Sequence, residues 1–218
     1  MAAGAPPIRV PYERALAAEQ RLIVYGVPYA RYVAIRELLE EQGLRVAYCE
    51  GAMELMSPSV DHERLKATIS RFLELFALER GIAIFPLGSM TFRSEAKSRG
   101  AEPDECYFVG TDHDEVLRPF PDIAIEVSIA PGGLDKLDIY DGLGVREVWL
   151  FWEDDHDIYV RRPEGGYVRS AKSELLPALD MDLLARFARR SDRHAALLEF
   201  RDAIRLPLAL RSPDARER

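Results

Sequence analysis

Pro121-Asp122-Ile123-Ala124-Ile125-Glu126-Val127-Ser128, followed by Gly132-Gly133-Leu134-Asp135-Lys136, is the stretch that decides how this chain folds. Taken as a strand, its period of two sends Asp122, Ala124, Glu126 and Ser128 to one face and Ile123, Ile125, Val127 and Ile129 to the other. A carboxylate inside a sheet carries a desolvation cost unless a cation, a partner or water compensates it. A hard divalent cation such as Mg²⁺ does so, because it favours oxygen ligands and keeps several waters. The strand therefore points to a metal-assisted hydrolytic site. The plainer alternative is a strand end that shows polar groups to solvent.

On either side of this strand the periodicity alternates between helix and strand. Residues 1–10 read as a loose tail, Tyr12 to Leu22 as a short helix, and Tyr29 to Gln42 as a firmer one stopped by Gly43. Leu44–Cys49 and Met53–Met56 form a hairpin around Glu50-Gly51. A long helix runs from Asp61 to Arg80, with Leu65, Ile69, Phe72, Leu73 and Phe76 as its apolar stripe and Gly81 as its stop. Ile82–Arg93 reads as strand with a break near Pro86–Gly88, Ser94–Gly100 as a polar, basic loop, and Pro103–Val109 as strand. Gly110 to Pro119 is an acidic connection to the Ile-rich strand. A helix over Leu134–Leu143, a strand over Val145–Trp152, a hairpin over Ile158–Ser170 and two C-terminal helices complete the pattern. This order implies an α/β (α+β layered) domain: helix, three strands, helix, strand, with a mixed central sheet flanked by helices. The chain is expected to be a single domain over 1–218, with a helical extension at 1–43, a core at 44–160, and a hairpin and helices at 161–218.

With 218 residues and 48% hydrophobic content the chain can bury a proper core. Its net charge of −8 argues against a generic nucleic-acid binder, although not against a nuclease whose acidic metal site lies beside local basic residues. Two cysteines, Cys49 and Cys106, make neither a disulfide framework nor a zinc site, which suggests a cytoplasmic setting. The N-terminus is too little apolar for a signal peptide, and no run is long enough to span a membrane.

Asp104 opens the strand before the Ile-rich one, and Glu126 lies on the polar face of the latter. Two carboxylates from adjacent strands can hold Mg²⁺ or Mn²⁺, which lowers the pKa of a bound water and neutralises charge on a phosphodiester. Lys136, early on the next helix, can reach the same place, to stabilise developing charge or help deprotonate the attacking water. Asp122 shares Glu126's face but sits roughly 13 Å along the strand, which suits a turn or supporting residue better than a shared ligand. His62 lies near the edge of the long helix's stripe and suits a polar neighbour or substrate contact, whereas Glu63 projects away from it. Glu63 in a first turn is also explained by the helix dipole. Arg93, Lys97 and Arg99 form a basic cluster that fits either a phosphate backbone or a solvated loop.

These residues resemble the PD-(D/E)XK nuclease pattern, with Pro103-Asp104, then Glu126-x-Ser128 where that pattern places lysine. More closely, the chain is similar to the Uma-two family of restriction-endonuclease-like proteins. The resemblance rests on Gly51-x-x-Glu54-Leu55-Met56-Ser57-Pro58, His62, Ala101-Glu102-Pro103-Asp104-Glu105-Cys106-Tyr107, Pro121-Asp122-x-x-x-Glu126-Val127, Gly132-Gly133-Leu134-Asp135-Lys136-Leu137-x-Ile139-Tyr140 and Gly144-Val145-Arg146-Glu147-Val148-Trp149. It implies a metal-dependent endonuclease acting on DNA, with Asp104 and Glu126 as ligands of Mg²⁺ or Mn²⁺ and the catalytic lysine moved from Ser128's position to Lys136. Glu63 matches the glutamate that such nucleases place on their first core helix, and a homodimer is the expected form. The competing reading is an interaction module on the same fold, catalytically degenerate, which Ser128 also fits. A hydrolase of small phosphate esters is a third, more remote reading.

Overall fold

In the computed structural model, which describes residues 19–110, 119–129 and 132–205, the Ile-rich stretch is strand β8 (Ile123–Ser128). It pairs antiparallel with β7 (Glu105–Val109) and parallel with β9 (Glu147–Trp152). β4 (Ile84–Pro86) extends the sheet beyond β7, and β10 (His156–Arg161) and β11 (Tyr167–Ser170) extend it beyond β9. The parallel step needs a crossover, which α3 (Lys136–Leu143) supplies. Together with α2 (Val60–Arg80), these elements give the expected order of helix, three strands (β4, β7, β8), helix and strand.

The alternation in β8 sorts two cores. Ile123, Ile125 and Val127 are buried with Ile69, Phe72, Leu73 and Phe76 of α2 and with two C-terminal helices, α4 (Met181–Ala188) and α5 (Arg193–Arg205). Ala124, on the other face, packs with Ile139, Tyr140 and Leu143 of α3. The long helix α2 starts where the Ser59 hydroxyl accepts a hydrogen bond from the His62 amide, which satisfies one of its open N–H groups. That cap fixes the turn from which His62 projects.

A second, five-stranded sheet lies on the α3 side, in the order β1 (Gln20–Val24), β3 (Ala52–Ser57), β2 (Arg45–Cys49), β6 (Arg99–Ala101) and β5 (Phe92–Ser94). It contains the expected hairpin of β2 (Arg45–Cys49) and β3 (Ala52–Ser57), with α1 (Tyr29–Leu38) before it. Its other members depart from the sequence reading. The expected helix over Tyr12–Leu22 is a strand where it is described: β1 (Gln20–Val24) pairs with β3, and the part of the helix before Glu19 lies outside the described residues. The physical reason is local. Arg21 and Ile23 alternate with the exposed Leu22 and Val24, and the free edge of β3 satisfies the backbone. The extension at 1–43 is therefore not simply helical. The strand expected over Ile82–Arg93 divides between sheets, as β4 and as β5 (Phe92–Ser94). Within the supposed basic loop, Arg99–Ala101 is β6, and buried Arg99 pairs with Glu50 and Asp138 rather than facing outward. α3 touches β2, β5 and β6, so it is held between the two sheets. Residues 1–10, most of the acidic connection after Gly110 including His113, and the last dozen residues lie outside the described part.

The two sheets impose one tight approach on β6. A Cβ added at Gly100 would lie 2.1 Å from the hydroxyl oxygen of fully buried Tyr32, itself stacked on Tyr48 at 4.8 Å. Gly100→Ala is therefore expected to lower stability by about 1–3 kcal/mol in chemical denaturation. Adding Tyr32→Phe, which removes the nearest atom, should restore part of the loss, because that hydroxyl has no hydrogen-bond partner among the described residues.

Candidate active site

The β7–β8 ladder pairs Glu105 with Ile125, Cys106 with Ala124 and Tyr107 with Ile123. One step further along the same register, Asp104 stands opposite Glu126. Both are inside the protein, at 1% and 6% exposure. Asp104 Oδ2 accepts from the Val127 amide at 2.8 Å, and its Oδ1 lies 2.9 Å from His62 Nε2. Glu126 Oε1 accepts from the Tyr140 hydroxyl, and its Oε2 lies 3.3 Å from Lys136 Nζ. Tyr140 and Lys136 stand one helical turn apart on α3, so a single helix face delivers both.

Further charged groups reach the site from β1, its approach and β3. Glu19 Oε2 lies 2.8 Å from His62 Nδ1, completing a buried Glu19–His62–Asp104 chain. Arg21 donates to Glu19 Oε1 at 2.7 Å, to Glu54 Oε1 at 3.3 Å and to Ser128 Oγ at 3.2 Å. Glu54 is 1% exposed, accepts from the Leu134 amide at 2.7 Å, and lies 4.0 Å from Lys136 Nζ. Gly133, at φ +113°, makes that contact possible. A Cβ there would fall 2.6 Å from Arg21 Nη1 and 2.8 Å from Glu54 Oε2.

Electrostatics follow from this packing. Burial alone would lower the His62 pKa, but the hydrogen bonds to Asp104 and Glu19 outweigh it and raise the value to about 9. His62 is thus an imidazolium at neutral pH. Burial would raise the Glu19 pKa, yet its hydrogen bonds from His62 and Arg21 bring it down to about 2. Asp104 is likewise lowered: against burial, the hydrogen bond and charge of His62 prevail. Glu126 moves the other way, because burial and the Asp104 charge outweigh Lys136 and Tyr140. Lys136 is raised despite burial, by Glu126, Glu54 and Asp104, and so remains an ammonium.

Of the residues singled out from sequence, Asp104, Glu126, Lys136, His62 and Ser128 come together here. Asp122 does not. It sits at the opposite end of β8, where it accepts from the Val109 amide at 2.8 Å and pairs with Arg146 at 3.4 Å. Nor does Glu63, which is 43% exposed and pairs with Lys66. Glu19, Arg21, Glu54 and Tyr140 were not assigned a role from sequence. Glu54, a carboxylate in mid-strand between Met53 and Leu55, carried the same signal as Glu126. Tyr140 stands four residues after Lys136, and that helical spacing is the signal that points to it.

At full ionisation the cluster holds four carboxylates (Glu19, Glu54, Asp104, Glu126) against three cations (Arg21, His62, Lys136), one negative charge in excess. Among the described residues no group of three or more His, Cys, Asp or Glu side chains forms a metal-holding arrangement. The donor chemistry of the pair Asp104 and Glu126 still suits an oxygen-seeking divalent cation. Each carboxylate oxygen has a second lone pair beyond its protein donor.

The His62 chain makes stability depend on pH in a defined sense. A histidine raised from 6.5 to about 9 stabilises the fold fully below pH 6.5 and loses that contribution as pH rises through 9. Glu19, lowered from 4.5 to about 2, stabilises above pH 4.5 and loses its contribution as pH falls through 2. The contribution of the pair is therefore largest between pH 4.5 and 6.5. The thermal midpoint is expected to fall by roughly 5–10 °C from pH 6.5 to 9, and His62→Gln should flatten that slope in a calorimetric pH series.

A family model described as "Putative restriction endonuclease", Uma2, matches residues 30–190. No curated protein matches. A crystal structure of a putative nuclease belonging to DUF820 from Anabaena variabilis ATCC 29413 is similar at 16% identity and a TM-score of 0.40, over 72% of this chain and 90% of that one. Since the family match spans most of the sequence and takes in Glu54, His62, Asp104, Glu126 and Lys136, the chain belongs to the Uma2 family of restriction-endonuclease-like proteins.

Proposed function

We propose that this protein is a metal-dependent endonuclease that hydrolyses phosphodiester bonds in DNA, working as a single restriction-endonuclease-like domain. The observation that carries this reading is the facing pair Asp104 and Glu126, buried across β7 and β8, with Lys136 Nζ 3.3 Å from Glu126. In the proposal Asp104 and Glu126 hold Mg²⁺ or Mn²⁺. When bound, such an ion lowers the pKa of a coordinated water and neutralises charge on the phosphodiester. Lys136, kept protonated by its carboxylate neighbours, is a fixed positive charge for the phosphoryl oxygens rather than a base. His62 fixes one oxygen of Asp104 and Tyr140 one of Glu126, so neither carboxylate needs to reorganise during the reaction. A homodimer follows from the resemblance for an enzyme that cuts two strands, and the two free cysteines suit a cytoplasmic setting.

One observation favours a second reading, a catalytically degenerate interaction module. Every oxygen of Asp104 and Glu126 already has a protein partner, so the network is closed without a metal. Calorimetric titration of Mn²⁺ separates the two. The wild type is expected to bind, and Glu126→Gln and Asp104→Asn to lose the binding while keeping the circular dichroism of the fold. With Mg²⁺ or Mn²⁺, DNA cleavage should disappear in both variants. Lys136→Ala should lower kcat by roughly 100-fold, with a smaller effect on KM. Unchanged cleavage in the carboxylate variants would remove the proposal. Metal-independent DNA binding without cleavage would favour the module.

A further inference from the structure

Beside Glu126 and Lys136 a cavity of about 220 Å³ opens, lined also by Arg21, Ser128, Asp135 and Trp152. Its composition is unusual for this molecule. It brings together two cations held almost out of solvent, at 12% and 15% side-chain exposure, and one of the chain's two tryptophans. Trp149 on the same strand is fully buried in the helical core, whereas Trp152 is half-buried and forms part of the cavity wall. Arg21 reaches Ser128, the position where the nuclease motif carries a lysine. Its guanidinium, held by Glu19 and Glu54, thus places a cation at that point of the strand.

We propose that this cavity is a subsite for one unpaired nucleotide of the substrate chain, an inference that rests on the nuclease reading. Arg21 and Lys136 take the phosphate and Trp152 takes the base. The volume admits a single phosphate with its sugar or base, and it lies beside a carboxylate only 6% exposed. A nucleotide locked in a stacked duplex cannot place both its phosphate and its base face in such a space; an unpaired one can. Planar guanidinium suits phosphate oxygens, and indole gives a base-stacking surface that does not depend on sequence. The substrate class is accordingly single-stranded or locally opened DNA.

The test uses tryptophan emission with a short single-stranded oligothymidine, in Ca²⁺ to balance the carboxylates. Wild-type emission is expected to quench on binding. Trp152→Phe should abolish the quench and retain affinity, since Trp149 remains shielded, whereas Trp152→Leu should weaken binding by roughly tenfold or more. Arg21→Gln should weaken it comparably, with Arg21→Lys recovering part. A blunt duplex of equal length should give no Trp152-dependent quench. The inference is overturned if the wild type binds no oligothymidine, if quenching survives in Trp152→Phe, or if the duplex quenches equally. Quenching without metal-dependent cleavage would leave the subsite standing and remove the nuclease reading. Cleavage without Trp152-dependent binding would do the reverse.

Discussion

Asp104 and Glu126 can sit inside a folded protein because separate elements bring a cation against each of them. An unpaired buried carboxylate is too costly to keep, and that constraint organises the rest of the molecule. His62 meets Asp104 from the first turn of α2, and Lys136 meets Glu126 from the first turn of α3. The Ser59 cap of α2 and the Asp135 cap of α3 are thus more than helix starts. Each fixes the turn from which a cation projects. The two sheets in turn hold α3 between them, which keeps Lys136 and Tyr140 over β8.

The network is arranged in alternation, carboxylate next to cation, with Glu19, His62 and Asp104 along one arm and Glu54, Lys136 and Glu126 along the other. Arg21 joins the arms through Glu19 and Glu54. Low exposure strengthens each contact and also makes each partner costly to remove. The two central carboxylates consequently respond in opposite directions. Asp104, between an imidazolium and an amide, is held ionised, while Glu126, buried and facing the Asp104 charge, is pushed toward protonation.

The sequence made the centre of this arrangement legible and hid its periphery, for identifiable reasons. β8 revealed itself because isoleucine and valine alternate with Ala124 and Glu126, a period-two signal that few other structures produce. Asp104 followed from its place at the head of the neighbouring strand, and Lys136 from its place at the start of the crossover helix. Glu19 and Arg21 stayed hidden because β1 is a five-residue edge strand beside an alanine-rich segment, where local propensity favours helix and only tertiary pairing with β3 decides otherwise. The second sheet escaped for a similar reason. β5 and β6 have three residues each, too short for any periodicity to register. Asp122 shares Glu126's face, as alternation requires, but strand length separates them, and a neighbouring amide and Arg146 claim its oxygens.

Arg21 belongs to a strand that, among the described residues, is paired on one side only, with Arg21 opposite Met56 and Ile23 opposite Glu54. Side chains in a strand alternate, so a slip of one residue exchanges the faces. Such a slip would turn the guanidinium out to solvent and set Leu22 above the carboxylates. The register of this one strand is therefore readable in the charge network, because a misregistered molecule would have an electrostatically incomplete site. The charge network is complete only when this strand is in register.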